Sequence, residues 1–188
     1  MKQPLPKPID SGRHKAFTIG NLHHEFLRHL DNIAQGLPSD FDKADRNVCG
    51  YPVPEFQRSL EWTQEQQESF IRAVWLELPL GEYVVHAQDW VGDEARPLSG
   101  IVLDGQQRLY ALERFFKDEI GLFDYTFSEM PQPDRRRFLR VNFSCREVAL
   151  WDKAQVVDLY ERIALGGVPH NREETLEKIA SYKANLSP

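Results

Sequence analysis

Ser99-Gly100-Ile101-Val102-Leu103-Asp104-Gly105-Gln106-Gln107-Arg108-Leu109 is the stretch that decides the fold. Ile101 to Leu103 is a short apolar run bounded by Gly100 and by Asp104-Gly105, the pattern of a buried strand. Gly105 permits a tight reversal where a side chain would crowd the backbone. Beyond it, Leu109, Leu112, Phe115 and Phe116 recur at helical spacing. A strand therefore runs straight into a helix. The first amides of such a helix have no internal partner and carry the positive end of its dipole, so a phosphate can be held there by backbone groups. Arg108 adds a planar cationic fork beside that seat. Gln106 and Gln107 offer donors and acceptors for a water, a ribose or a phosphate oxygen. Asp104 could position a metal-bound water, act as a weak base or cap the helix. The plain alternative is an Asp-Gly cap with an arginine paired to a nearby acid. Two adjacent amides, for which folding offers no evident use, favour the functional reading.

Working outward, the periodicity predicts a helix over 18–35, capped by Thr18, with Ile19, Leu22, Phe26, Leu30 and Ile33 inside and Gly36 and Pro38 at its end. Pro38 to Gly50 reads as a polar loop. Residues 51–58 read as an edge strand or extended segment, because two prolines interrupt them. Thr63 and Gln66 form a capping box for a helix through Phe70, Ile71, Val74, Trp75 and Leu78. Residues 82–88 are strand-like, and 89–97 a polar excursion. Residues 118–134 are irregular, with Phe127 assigned to a short strand, and 133–138 form one helical turn. Residues 140–148 alternate as a strand. Asp152 caps a helix that Gly166-Gly167 ends, and a polar, peripheral helix covers about 172–182. The order predicts an α+β domain with a small mixed sheet flanked by helices. Residues 1–16 read as a flexible arm, and 17–188 as one domain.

The totals agree with a single core. The chain has 188 residues, 41% hydrophobic and 28% charged, enough for one well-cored domain. No apolar run approaches the roughly 20 residues of a membrane span. The first residues lack the apolar stretch of a secretory signal, so the cytoplasm is the expected address. Cys49 and Cys145 lack metal or redox spacing and read as buried thiols. His23 and His24 diverge on a helix and cannot share one ligand face, and His86 and His170 are isolated, so no metal site is expected. The net charge of −6 argues against strong non-specific duplex binding. Against it stands one local basic run, Arg135, Arg136, Arg137 and Arg140, read either as a solvated turn or as a grip on nucleic-acid backbone or an acidic partner. Trp75 reads as core and Trp151 as a hydrophobic staple. Trp90 is expected to be exposed.

Three ordered segments, VPEFQRSLEWTQEQQESFI, IVLDGQQRLYALERFF and DLYERIALGGVPH, resemble the amino-terminal domain of GmrSD-type modification-dependent restriction proteins, with DGQQR as the hallmark. The resemblance implies a ParB/sulfiredoxin-like fold whose Asp104–Arg108 turn binds nucleotide phosphates. It implies ATP or GTP as ligand, Mg²⁺ as companion ion, and nucleoside triphosphate hydrolysis, with DNA as a further partner in some members. Gln57, Arg58 and Trp62 match the family's QR…W element and by resemblance line the same pocket, Arg58 toward phosphate and Trp62 toward a base or ribose. The catalytic set implied is Asp104, Gln106, Gln107 and Arg108, with Gly105 in the phosphate turn. One departure is Ala164, where the family carries an Asn before its Gly-Gly. Full-length members also continue into a nuclease domain with an HNH-like centre. These 188 residues contain none, so a separate nuclease subunit is the expected partner and autonomous restriction is not expected. Two rival readings remain: a non-enzymatic DNA- or partner-binding module, and a weak metal-dependent DNA nickase.

Overall fold

A computed structural model describes residues 12–37, 41, 44–166 and 172–185. Its elements in chain order are β1 (Arg13–Lys15), α1 (Ile19–Gln35), β2 (Asn47–Val48), β3 (Tyr51–Pro52), α2 (Gln64–Trp75), β4 (Glu82–His86), β5 (Trp90–Val91), β6 (Glu94–Ala95), β7 (Val102–Asp104), α3 (Gln106–Phe116), α4 (Gln132–Leu139), β8 (Ser144–Val148), α5 (Lys153–Gly166) and α6 (Arg172–Asn185). The fold class is α+β. The main sheet runs β1-β8-β4-β7, parallel between β8 and β4 and antiparallel at both outer pairs. Two small ribbons, β2-β3 and β5-β6, stand beside it.

Both faces of the sheet are covered, and the alternation along β4 shows how. Tyr83 and Val85 point into a core shared with α1, α2, α3 and α4. Val84 points the other way, into a second core with Leu103, Val156, Tyr160 and Ile179. A strand buried on both faces reads as continuous apolar sequence rather than as alternation. That is why Tyr83-Val84-Val85 and Ile101-Val102-Leu103 look as they do.

Local chemistry sets the helix ends. Asn21 Oδ1 accepts from Thr18 N at 2.8 Å to open α1, and Gly36 closes it at φ 65. In α2 the reciprocal box is complete: Thr63 N donates to Gln66 Oε1 at 2.8 Å and Gln66 N to Thr63 Oγ1 at 3.3 Å. Asp152 Oδ1 accepts from Ala154 N and Gln155 N at 2.8 and 3.2 Å, the expected cap of α5.

Several expectations need correction. Within the stretch read as an arm, Arg13–Lys15 is an edge strand paired with Glu147, Arg146 and Cys145 of β8. Residues 1–11 lie outside the described residues. In α1 only Ile19, Leu22 and Phe26 are buried, while Leu30 and Ile33 face solvent, because the core ends halfway along the helix. α2 stops at Trp75, leaving Leu78 exposed. Phe127 is in no strand; its ring lies 5.6 Å from Phe115 and 5.2 Å from Phe116, inside the first core. α4 spans 8 residues rather than one turn. α6 is not peripheral: Ile179 is buried, and Tyr182 meets Phe56 edge-on at 5.0 Å.

Candidate functional site

The junction of β7 and α3 has the predicted shape. Gly105 sits at φ 89, and a Cβ there would lie 2.7 Å from Tyr83 Cβ. Only glycine allows α3 to start this close to β4. The first intrahelical bond is Leu109 N to Gly105 O at 3.0 Å, so Gln106, Gln107 and Arg108 carry the amides that precede it. Arg108 reaches back: Nη2 donates to Asp104 Oδ2 at 3.1 Å and Nη1 to Leu80 O at 2.9 Å. Its side chain is 19% exposed and that of Asp104 45%. Arg108 thus ties α3 to the start of β4, and Asp104 is the group of this motif most open to solvent.

The two glutamines are the main surprise. Both are buried, at 4% and 5% exposure, and both are spent on the 58–62 loop. Gln106 Nε2 donates to Arg58 O at 3.0 Å, and its Oε1 accepts from Arg46 Nη2 at 3.1 Å. Gln107 Oε1 accepts from Glu61 N at 3.1 Å and Trp62 N at 3.2 Å, and its Nε2 donates to Ser59 O at 2.9 Å. Folding does therefore call for two amides here. They satisfy backbone groups of a segment that has no secondary structure of its own to do so. That loop is therefore held to the first turn of α3 by its two amide side chains.

What remains open lies at the rim. Arg46 Nη2 also donates to Arg58 O, at 3.2 Å. Among the described residues Arg46 forms no ion pair. Among the described residues it donates to two neutral carbonyl oxygens, and burial pulls its pKa below the ordinary guanidinium range, the Tyr160 phenol acting the other way. A half-buried cation without a carboxylate is costly unless an anion arrives. Burial pushes the Tyr160 phenol up. A hydrogen bond from the Arg58 backbone, the Arg58 charge and the Arg46 charge pull it down, and Asp104 adds to the rise. Geometry ties Arg46 to the same junction through Arg58 O and Gln106 Oε1, with Asp104 two residues before Gln106 at the end of β7. Among the described residues Arg58 pairs with Glu61 at a long 3.9 Å. Sequence reading missed Arg46, which sits in no recognisable motif, and gave Tyr160, inside the third quoted segment, no part in the site.

A family model described as the GmrSD restriction endonuclease N-terminal domain matches residues 38–182, well over half of the chain. The chain belongs to this family. No curated protein and no solved structure matches it.

The GmrSD-type domain places the other candidate residues as follows. Gln57 is buried and donates from Nε2 to Val102 O at 2.5 Å, a staple between its loop and β7. Trp62 is half-buried, with its ring 5.9 Å from Phe70. Arg137 lies over Trp75, 4.6 Å from the ring centroid, and reaches Glu77 at 3.3 Å. Arg135 stands 5.9 Å over Phe127. Arg136, Arg137 and Arg140 line a shallow cavity of about 450 Å³ that shares no residue with the rim around Arg46. Trp151, just before the Asp152 cap, meets His86 edge-on at 4.5 Å and carries Arg96 at 4.2 Å on its ring. Ala164 packs on the second core, and His170 lies outside the described residues. Among the described residues no group of three or more His, Cys, Asp or Glu could hold a metal ion. No helix among them is long and apolar enough to cross a membrane.

Proposed function

We propose that this restriction-family domain binds a nucleoside triphosphate, ATP or GTP, through its phosphates, at the rim formed by Arg46, Arg58 and Asp104. The observation that carries the reading is Arg46, a half-buried guanidinium held in place by two carbonyl oxygens and lacking a carboxylate among the described residues. Arg58 is the second cation, and its carbonyl is fixed from two sides by Gln106 and Arg46. In this reading the Asp-Gly-Gln-Gln-Arg segment is the clamp that shapes the site. Asp104, its exposed carboxylate, is the group that orients water or a Mg²⁺ ion arriving with the nucleotide. A single carboxylate suits Mg²⁺ only when phosphate oxygens and waters complete its shell, and the ion would supply charge neutralisation on those oxygens. Phosphoryl transfer depends mostly on such positioning and charge stabilisation, so triphosphate hydrolysis is the activity we assign. Calorimetry with ATP and GTP, each with Mg²⁺, is the test. Wild type is expected to bind and Arg58→Ala to lose at least tenfold in affinity. No binding by a folded wild type overturns the proposal.

A second reading concerns nucleic acid. Arg136 and Arg140 are exposed, form no ion pair among the described residues, and flank one concavity together with Arg137. In a chain of net charge −6 this is a local cationic surface, suited to backbone phosphates of DNA. Replacing both with Gln should reduce the slope of log K against log salt by about 2 in a DNA shift assay. An unchanged slope removes the reading. Weak metal-dependent nicking has no cluster of ligands among the described residues to carry it.

A further inference from the structure

Arg46 faces two ways. Toward the sheet it holds Gln106 and Arg58; toward solvent it lines a cavity of about 590 Å³ between the 44–57 segment, the 98–101 turn and α6. That volume lies within the range of small-molecule sites. The lining has three chemistries. Val53, Pro54, Leu98 and Ile101 are apolar, and Tyr182 adds an aromatic ring. Arg46 and Lys178 are its cations, both reaching the 57–59 stretch: Arg46 Nη2 donates to Arg58 O at 3.2 Å, and Lys178 Nζ stands 3.4 Å from Gln57 O and 3.3 Å from Ser59 Oγ. Asp45 and Glu55 are acceptors. One wall is also strained: Leu98 sits at φ 74, a left-handed conformation that leucine rarely adopts. Such strain persists only where surrounding structure enforces it. Here the enforcing element is the turn through Ser99 and Gly100, in which Ser99 N donates to Arg96 O at 2.9 Å and Gly100 lies against Phe41.

We infer that this cavity is a nucleoside compartment: it takes the base and ribose of a nucleoside phosphate whose phosphates reach Arg46. An apolar and aromatic wall suits the face of a base, and the two carboxylates suit ribose hydroxyls or ring N–H groups. Two cations gathered at the 57–59 stretch suit the charged end. The inference rests on the phosphate-binding reading above and adds where the rest of the ligand goes. Inorganic phosphate alone would leave most of the volume unfilled, so the ring-bearing ligand is expected to bind more tightly than a bare polyphosphate.

Titration with ATP and with inorganic tripolyphosphate separates the two claims. Wild type should bind ATP at least tenfold more tightly than tripolyphosphate. Ala44→Trp, which puts a ring into the cavity from its loop wall, should abolish that preference while leaving tripolyphosphate binding and thermal midpoint unchanged. Lys178→Glu, on the outer helix, should weaken ATP at least tenfold and serves if Ala44→Trp does not fold. Equal affinity of wild type for the two probes overturns the compartment but leaves the phosphate site standing. ATP binding undiminished in folded Ala44→Trp or in Lys178→Glu overturns it too. Failure of wild type to bind either probe overturns both claims.

Discussion

Gln107→Ala separates a structural amide from a ligand-binding one. The side chain makes three hydrogen bonds to the 58–62 loop, at 3.1, 3.2 and 2.9 Å. A typical intramolecular hydrogen bond contributes about 1 kcal/mol net, and a buried group left unpaired costs more. Three bonds give about 3 kcal/mol. Glu61 lies at the exposed edge of the loop, where water can replace one partner, which lowers the expected loss to about 2–3 kcal/mol. For a chain of this size each kcal/mol moves the midpoint by about 2–4 °C, so the drop should be about 4–12 °C. Thermal unfolding followed by circular dichroism measures it. Limited proteolysis should show new cleavage near Arg58, since the carbonyl and amides that hold that loop are released. A variant with a wild-type midpoint, an uncut loop and lost nucleotide binding would show that the amide serves the ligand and would refute the clamp.

Gly105→Ala should lower the midpoint far more than Gly36→Ala. Both glycines have positive φ, but a Cβ at Gly105 meets Tyr83 at 2.7 Å whereas one at Gly36 meets nothing within 4 Å, so Gly36→Ala carries only the left-handed cost of about 1–2 kcal/mol. Phe127→Ala should cost about 3–5 kcal/mol in denaturant unfolding, as a core aromatic does, whereas a loop residue would cost little. His23 and His29 have lowered pKa values, burial being the largest cause for each. The unfolded chain then binds more protons than the folded one below the ordinary value of 6.5. Their contribution is full above that pH and is lost as pH falls through the folded values. Replacing both with Gln should flatten that part of the stability curve.

Much of the scaffold was readable because its signals are local. The Thr63–Gln66 box, the Asp152 cap, Gly36 and the Gly105 turn each act within a few residues, so sequence spacing shows them. β1 was missed because a three-residue edge strand has no periodicity of its own; its position comes from the open edge of β8. α6 looked peripheral because, among its described residues, the apolar anchors are Ile179 and Tyr182, and two residues make no stripe. At the candidate site the strand-to-helix reversal was legible, and the partners of its side chains were not. Gly105 and Arg108 were found through the strand-to-helix pattern. The use of Gln106 and Gln107 depends on a loop nearly fifty residues earlier, which spacing within the motif cannot show. Arg46 and Tyr160 join the rim only through tertiary packing.

Nuclear magnetic resonance of the arginine Nε–H groups during titration with ATP and Mg²⁺ tests the central claim most directly. The Arg46 and Arg58 signals, assigned with Arg→Lys variants, should shift and saturate together, while Arg108, already committed to Asp104 and Leu80, should move little. A saturating shift at Arg108 with Arg46 and Arg58 unmoved would contradict the account.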